Sequence, residues 1–332
     1  ALAEPIEVSD TTGATHLVQC AASVGVATSA EAAGISELLR RADVAMYGAK
    51  TEGKNTWQRY RDEMHDAMLQ RLEMRAALSE AVAGDQLRLR FQPIVDLPTG
   101  RVAGLEALVR WQHPMRGLLG PDEFIELSEE SGAIVGIGGW VLREALRTFT
   151  EWRATAAGSR LRYVSVNVSA RQFRTPGFVD QVREVIAETG AHPEWVLLEI
   201  TESLVLHDAD QVWRDLGELR EMGVRIAIDD FGTGYSSLSY LSQMPVDVLK
   251  IDKSFIDDIL HSRQQMALVE TIINLARTFD LAVIAEGVEL DEHRVALTEM
   301  GCPYGQGYLF AKPLTHEDFQ EFLRTRHAAL SH

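Results

Sequence analysis

Cysteine is almost absent from this chain: Cys20 and Cys302 stand far apart among 332 residues, and neither belongs to a CxxC pair. That excludes a disulfide framework and a cysteine-based zinc site. Long apolar runs are also missing. The long uncharged stretch Ala133–Leu142 contains three glycines and falls far short of the roughly 20 residues that cross a bilayer. No membrane span is expected, and the start lacks the basic, apolar, small-residue succession of a signal peptide. The first residue is Ala1 rather than Met, as expected of a piece whose anchor or sensor lies upstream. Positive charge is scarce, with 32 lysines and arginines against 49 acidic residues and a net charge of −17. That argues against a nucleic acid polymer as partner, because such binding rests on basic side chains displacing counterions. An anionic substrate would need local positive charge, which bound metal ions can supply. There is no GxGxxG and no Walker-type phosphate loop.

What is present is a globular balance, 46% hydrophobic and 24% charged, in a chain long enough for a large domain and an appendage. Residues 1–60 combine a β-rich run, HLVQCAASVGVAT, with a helical segment, ISELLRRADVAMYGAKTEGKN, that has a glycine-bearing end. So small an α+β piece buries too little surface to be stable alone. Residues 61–82, free of glycine and proline, predict a connecting helix. Beyond Gly84 short β-branched runs alternate with amphipathic segments: LRLRFQPIVD, VAGLEALVRW, YVSVNVS, VLLEITE, RIAIDDF, VLKID, AVIAEGVE and YGQGYLF. Such a βα rhythm over 70–328 predicts an α/β fold, a TIM-like (β/α)8 barrel, rather than an open doubly wound sheet.

Nearly every strand candidate ends in a group that ligates metal or moves protons: Glu106, Asn167, Glu199, Asp229 with Asp230, Lys250 with Asp252, Glu286 and Gln306. Strand ends of a barrel converge on one face, so these residues are expected to meet. Carboxylates and amides without histidine favour Mg²⁺ or Mn²⁺ over zinc. Adjacent Asp229 and Asp230 are expected to project to different sides of their strand end, one bridging two metals and the other holding the second. Two such ions activate a water and stabilise in-line phosphoryl transfer. A lysine inside a β run is costly unless paired, so Lys250 is expected among the carboxylates. Glu286 reads as a metal ligand or as the general base. The glycine-containing stretch Phe231–Leu241 reads as a mobile gate or a tight turn.

The tripeptide Glu106-Ala107-Leu108 occurs within EALVRWQHP, and with FQPIVD, SVNVSARQ, LEITES, AIDDFGTGYSSL, LKIDKSF, IAEGVE and GQGYLFAKP, in that order, the chain resembles the EAL family of cyclic di-GMP phosphodiesterases. The resemblance implies a cytoplasmic enzyme that linearises cyclic di-GMP to pGpG. The rival is a receptor that binds cyclic di-GMP without cutting it. It further implies that Glu106, Asn167, Glu199 and Asp229 hold one metal, with Asp229, Asp230 and Glu286 at the second. The catalytic set would be Glu106, Lys250 and Glu286, with Lys250 acting on the attacking water. Gln92, Leu108, Arg110, Asp252 and Gln306 would contact substrate, and Glu202 would steady the loop after the aspartate pair. None of these positions is substituted, and a homodimer through the barrel is expected. The larger Ca²⁺ is expected to bind without supporting turnover. Residues 1–60, through ASVGVAT and LLRRADVAMYGAKTEGKN, resemble the tail of a GGDEF diguanylate cyclase domain whose signature would lie before Ala1, so no cyclic di-GMP synthesis is expected of this stretch.

Overall fold

The computed structural model describes residues 6–9, 15–18, 22–29, 34–51, 55–206, 209–232, 241 and 243–329. The chain divides into two units, Ala1–Ala77 and Leu78–His332.

In the first unit β1 (Ile6–Ser9) pairs antiparallel with β2 (Thr15–Val18), and β3 (Val24–Val26) pairs parallel with β4 (Trp57–Arg59). Parallel neighbours need a crossover, here the helix Ile35–Thr51. That helix lies directly on the β3 backbone, since a Cβ at Gly25 would come within 1.9 Å of the Ala42 carbonyl oxygen. Among the described residues one core cluster here gathers Val44, Ala45 and Tyr60, joined by Ala27, Met64 and Met68. A 20-residue helix, Asp62–Ala81, runs across the division between the units.

The second unit is built on β5 (Leu87–Asp96), β6 (Val102–His113), β7 (Gly117–Leu119), β8 (Tyr163–Asn167), β9 (Val196–Thr201), β10 (Arg225–Phe231), β11 (Val248–Ile251), β12 (Ala282–Ala285) and β13 (Tyr304–Gly305). Neighbours run β6-β8-β9-β10-β11-β12-β13-β5, and β5 pairs back onto β6, so eight strands close a barrel with β7 as a flap on β6. The expected barrel is therefore present, with one departure from an all-parallel design: β5 is antiparallel to both β6 and β13. The cause is the short turn between β5 and β6, too brief for a crossover. Asp96 Oδ1 accepts from Thr99 N at 2.9 Å and Thr99 Oγ1 at 2.6 Å, and Gly100 takes φ +67°. Helices cover the outside. The largest amphipathic one, Ile134–Arg153, absorbs the uncharged run noted in the sequence, burying Ile137, Val141 and Leu142. No helix among the described residues is long and apolar enough to cross a membrane.

Inside the barrel, side chains stack in layers because alternate residues of a strand face the same side. Ile94, Tyr163, Leu197, Ala227, Val248 and Ile284 form one apolar layer, with Tyr304 packed against it. Gly104 leaves the space that the Tyr163 ring fills: a Cβ there would lie 2.7 Å from the ring. Two residues further along the same strands stand Glu199, Asp229, Lys250, Glu286 and Gln306, with Glu106 two beyond Gly104 and Gln92 two before Ile94 on the reversed strand. The polar site is thus the next layer up.

Several strand candidates change in extent. Glu106 is not at a strand end: β6 continues to His113, although its pairing with β8 stops at Ala107. Residues beyond it pair with β5 and β7 instead. The run YGQGYLF is a strand only over Tyr304–Gly305. At Gly307 a Cβ would sit 2.2 Å from the Val288 carbonyl oxygen, so the chain crosses that backbone and leaves the sheet.

Candidate active site

Lys250 organises the polar layer. It is 1% exposed, and its Nζ lies 2.6 Å from Glu286 Oε1, 2.8 Å from Glu199 Oε2, 3.0 Å from Asp229 Oδ1 and 4.0 Å from Glu106 Oε1. Burial by itself pushes its pKa down, but Glu106, Glu199, Glu286 and Asp229 reverse this and hold it well above the usual lysine range. Burial raises Glu199 well above an ordinary carboxyl, and proximity to Glu106 adds to the rise. Glu286 is pushed up to about 7 by burial, against the pull of Lys250. Asp230 is raised by burial and then by Asp229. Four carboxylates share one ammonium, so the layer keeps an excess of negative charge that further cations would relieve.

Amides hold Glu106 from both sides. Asn167 Nδ2 donates to Oε1 at 2.6 Å, and Gln306 Nε2 donates to Oε2 at 2.5 Å and to Gln92 Oε1 at 3.0 Å. Gln92 Nε2 in turn donates to the Ala311 carbonyl at 3.1 Å. The first, antiparallel strand and the last strand are thereby tied to the glutamate on β6.

A regular strand would send Asp229 and Asp230 to opposite faces. Between Ile228 and Phe231 the β10–β11 register shifts, and Asp230 takes φ +54°. This bulge re-aims the second carboxylate. Asp229, Asp230 and Glu286 consequently each offer an oxygen within 4.8 Å of the others. The expected divergence of the pair is thus replaced by convergence. An all-oxygen set of this kind fits a hard divalent cation. Glu199 strengthens the fit, because its Oε1 is buried with no hydrogen-bond partner among the described residues.

A cavity of about 300 Å³ opens over this layer and brings together Gln92, Glu106, Leu108, Asp229, Lys250 and Glu286, with Gln306 also on its wall. Arg110 lies nearby on β6, half-buried, with burial and Arg90 holding its pKa below the usual value. Asp252 is not on the cavity wall: it caps the helix Lys253–Ile256, its Oδ1 accepting from Ser254 N at 3.0 Å. Glu202 is buried at the first position of the helix Glu202–Leu206. The loop it was expected to steady lies largely outside the described residues, as do residues 233–240 of the suspected gate and Cys20. Cys302 is a buried free thiol.

Wall residues not anticipated from the sequence include Lys253, Glu289 and Tyr308. Tyr308 is 54% exposed, an unusual state for a large aromatic, and the Lys312 ammonium lies 5.2 Å from its ring centre. Reading YGQGYLF as a strand concealed it. The glycines flanking Gln306 were the available signal that the chain turns there.

A closed α/β barrel with an acidic centre suited to divalent cations is the class that fold and site define. The EAL domain model matches residues 75–313, and the chain belongs to that family. Among curated proteins it is 40% identical over 317 residues to the bifunctional diguanylate cyclase/cyclic di-GMP phosphodiesterase MucR of Pseudomonas aeruginosa, covering 95% of this chain and 45% of that protein. It is 43% identical over 288 residues to the cyclic di-GMP phosphodiesterase NbdA of the same organism, covering 87% and 36%. The chain therefore spans less than half the length of these relatives. Among solved structures, the cyclic di-GMP complex of the MucR phosphodiesterase superposes with TM-score 0.71 at 42% identity, covering 74% of this chain and 99% of that one. The EAL domain of Mycobacterium smegmatis DcpA gives TM-score 0.61 at 37% identity, covering 73% and 97%.

Proposed function

We propose that this chain is a divalent-metal-dependent phosphodiesterase that opens cyclic di-GMP to linear pGpG. The observation that carries the reading is the single polar layer in which Glu106, Glu199, Asp229 and Glu286 surround Lys250 within 4.0 Å, beneath an open cavity. The relatives named for this activity, and the one solved with cyclic di-GMP, support the choice of substrate.

Glu106, Asn167, Glu199 and Asp229 would hold one ion, with Asp229, Asp230 and Glu286 at a second. Mg²⁺ or Mn²⁺ there would lower the pKa of a bound water and neutralise the charge developing on the phosphoryl oxygens. Gln306 and Asn167 fix the Glu106 carboxylate by donating to its two oxygens. Lys250, kept protonated by its neighbours, donates hydrogen bonds and orients the attacking water rather than taking its proton. Leu108, Gln92, Arg110 and Gln306 position the dinucleotide, and Tyr308 adds an exposed ring on which a base can stack. Asp252, whose Oδ1 caps the helix Lys253–Ile256, is kept as a further substrate contact.

The test is to incubate the protein with cyclic di-GMP and Mn²⁺ and to follow pGpG. Product with Mg²⁺ or Mn²⁺, binding without product in Ca²⁺, and no product in chelator are expected. Tight binding with no cleavage in any metal would make the chain a receptor.

The same reading assigns residues 1–60 to the C-terminal part of a diguanylate cyclase-like domain. It is supported by an alignment with MucR that extends across 95% of the chain. No GGDEF or GGEEF signature occurs in the sequence, so cyclic di-GMP synthesis from GTP by this chain is not expected.

A further inference from the structure

The barrel has a second cavity, of about 340 Å³, at the end opposite the carboxylate layer. Its wall includes Val102 at the start of β6, Arg160 and Arg162 just before β8, and Asp96 at the close of the reversed β5. Glu106 lies four residues beyond Val102 along β6, about 13 Å away at roughly 3.3 Å per residue. Four arginines line this cavity, Arg101, Arg160, Arg162 and Arg326, against a single acid, Asp96. One oxygen of that acid is already engaged by Thr99.

In a chain of net charge −17 this is an anomaly. Elsewhere on the barrel unit arginines are commonly neutralised: Arg143 by Glu188, Arg147 by Glu144, Arg220 by Asp247 and Arg294 by Asp291. None of the four cavity arginines forms an ion pair with a described residue. Arg326 is half-buried on the helix His316–Ala329, and burial alone lowers its pKa, with no carboxylate offsetting the loss of water.

The cluster is also held in place by neutral partners that leave its charge unspent. Arg326 donates to the Gly100 carbonyl at 2.9 Å, and Arg162 donates to the Tyr304 hydroxyl at 3.1 Å. Arg153 donates to the carbonyls of Ser159 and, at 2.9 Å, Leu161, fixing the segment that carries Arg160. Each tether uses only part of a five-donor guanidinium. The remaining N–H groups are left to bind an oxygen-rich anion, and the planar fork of a guanidinium is a geometry that suits phosphate. Behind them Leu161 and Leu323 are buried and form an apolar floor. The concavity falls in the size range of small-molecule sites, whereas a macromolecular partner would meet a broader surface.

We infer that this lower cavity binds a small organic phosphate, its phosphate taken by Arg160, Arg162 and Arg326 and its less polar body resting on Leu161 and Leu323. The inference does not depend on the hydrolytic reading of the other end.

Calorimetric titration of the full chain in chelator, at fixed ionic strength, tests it with three probes: GMP, guanosine and inorganic phosphate. GMP is expected to bind, phosphate to bind more weakly, and guanosine to give no heat. Arg160→Gln with Arg162→Gln should weaken GMP by roughly tenfold or more, as expected for lost charge-assisted hydrogen bonds. Arg326→Gln should act in the same direction. An unchanged melting temperature in the double variant, and unchanged cyclic di-GMP affinity in Ca²⁺, would show that its fold and upper site are intact. Inorganic phosphate binding as well as GMP would reduce the site to a bare anion pocket and overturn the organic-phosphate assignment. The inference also falls if GMP gives no heat, if the double variant binds GMP as well as the parent, or if cyclic di-GMP in Ca²⁺ displaces it.

Discussion

The two ends of the barrel gather opposite charges by different means. At the upper end the carboxylates and Lys250 stand mainly on or directly beside strand ends, one layer above apolar side chains, and Glu106, Glu199 and Lys250 are buried. At the lower end the arginines sit beside the strand starts and on the last helix, and Arg101, Arg160 and Arg162 are exposed. Backbone register places the first group, and loop conformation places the second. Buried charges that share one counterion cannot be altered singly, because removing one leaves the others uncompensated. Exposed guanidiniums are screened by solvent and salt, so each can be altered with little effect on stability.

Lys250→Met is the sharpest way to break that contrast. With no cation among four carboxylates, stability measured by urea unfolding in chelator should fall by about 3–5 kcal/mol, and hydrolysis should be lost. A variant as stable as the parent would show that the carboxylates are not coupled through this lysine.

Gln306→Leu comes next. It strips a donor from both Glu106 and Gln92, and kcat/KM should fall on the order of 10- to 100-fold, the usual cost of losing a group that orients a ligand. Unaltered kinetics would mean that Glu106 needs no amide to hold it.

Metal removal tests the upper end as a whole. Burial raises Glu286 to about 7 and raises Glu199 as well, so the metal-free fold binds more protons than the unfolded chain. These groups therefore make the metal-free fold more stable as pH falls through Glu286's folded value toward the ordinary carboxyl range. A divalent ion competes with those protons. The rise in melting temperature on adding Mn²⁺ should accordingly be larger at pH 8 than at pH 6. A shift that shrinks with rising pH would contradict the assignment of these carboxylates as ligands.

The smallest effect is expected at the lower end. Arg160→Gln with Arg162→Gln should change stability by no more than about 0.5 kcal/mol, as is usual for exposed positions, and should leave cyclic di-GMP turnover unchanged. A clear loss of turnover would couple the two ends and end their treatment as independent.

Much of the barrel was legible because period-two alternation and turn residues mark strands locally. RIAIDDF and LRLRFQPIVD match β10 and β5 at both ends. Lys250 among carboxylates followed from the cost of burying an unpaired ammonium. The reversed direction of β5 was less legible, because it depends on a short turn whose Asp96 and Thr99 hydrogen bonds exclude a crossover. Tyr308 was missed because a β-rich pattern cannot show that the next backbone lies too close for the strand to continue. The capping role of Asp252, whose Oδ1 accepts from the amide and hydroxyl of Ser254, was not legible beside the substrate contact that the resemblance implies for it.

By itself the sequence determined the family, the order of the strands and the kinds of atoms at the centre, since these rest on residue identity and on spacing within one segment. Only the tertiary structure decided which groups touch. It placed four carboxylates around one ammonium, turned Asp230 beside Asp229 through a bulge, and collected arginines from distant segments around a single cavity. Those contacts join residues far apart in the chain, and their geometry follows from strand register and barrel closure rather than from any local preference.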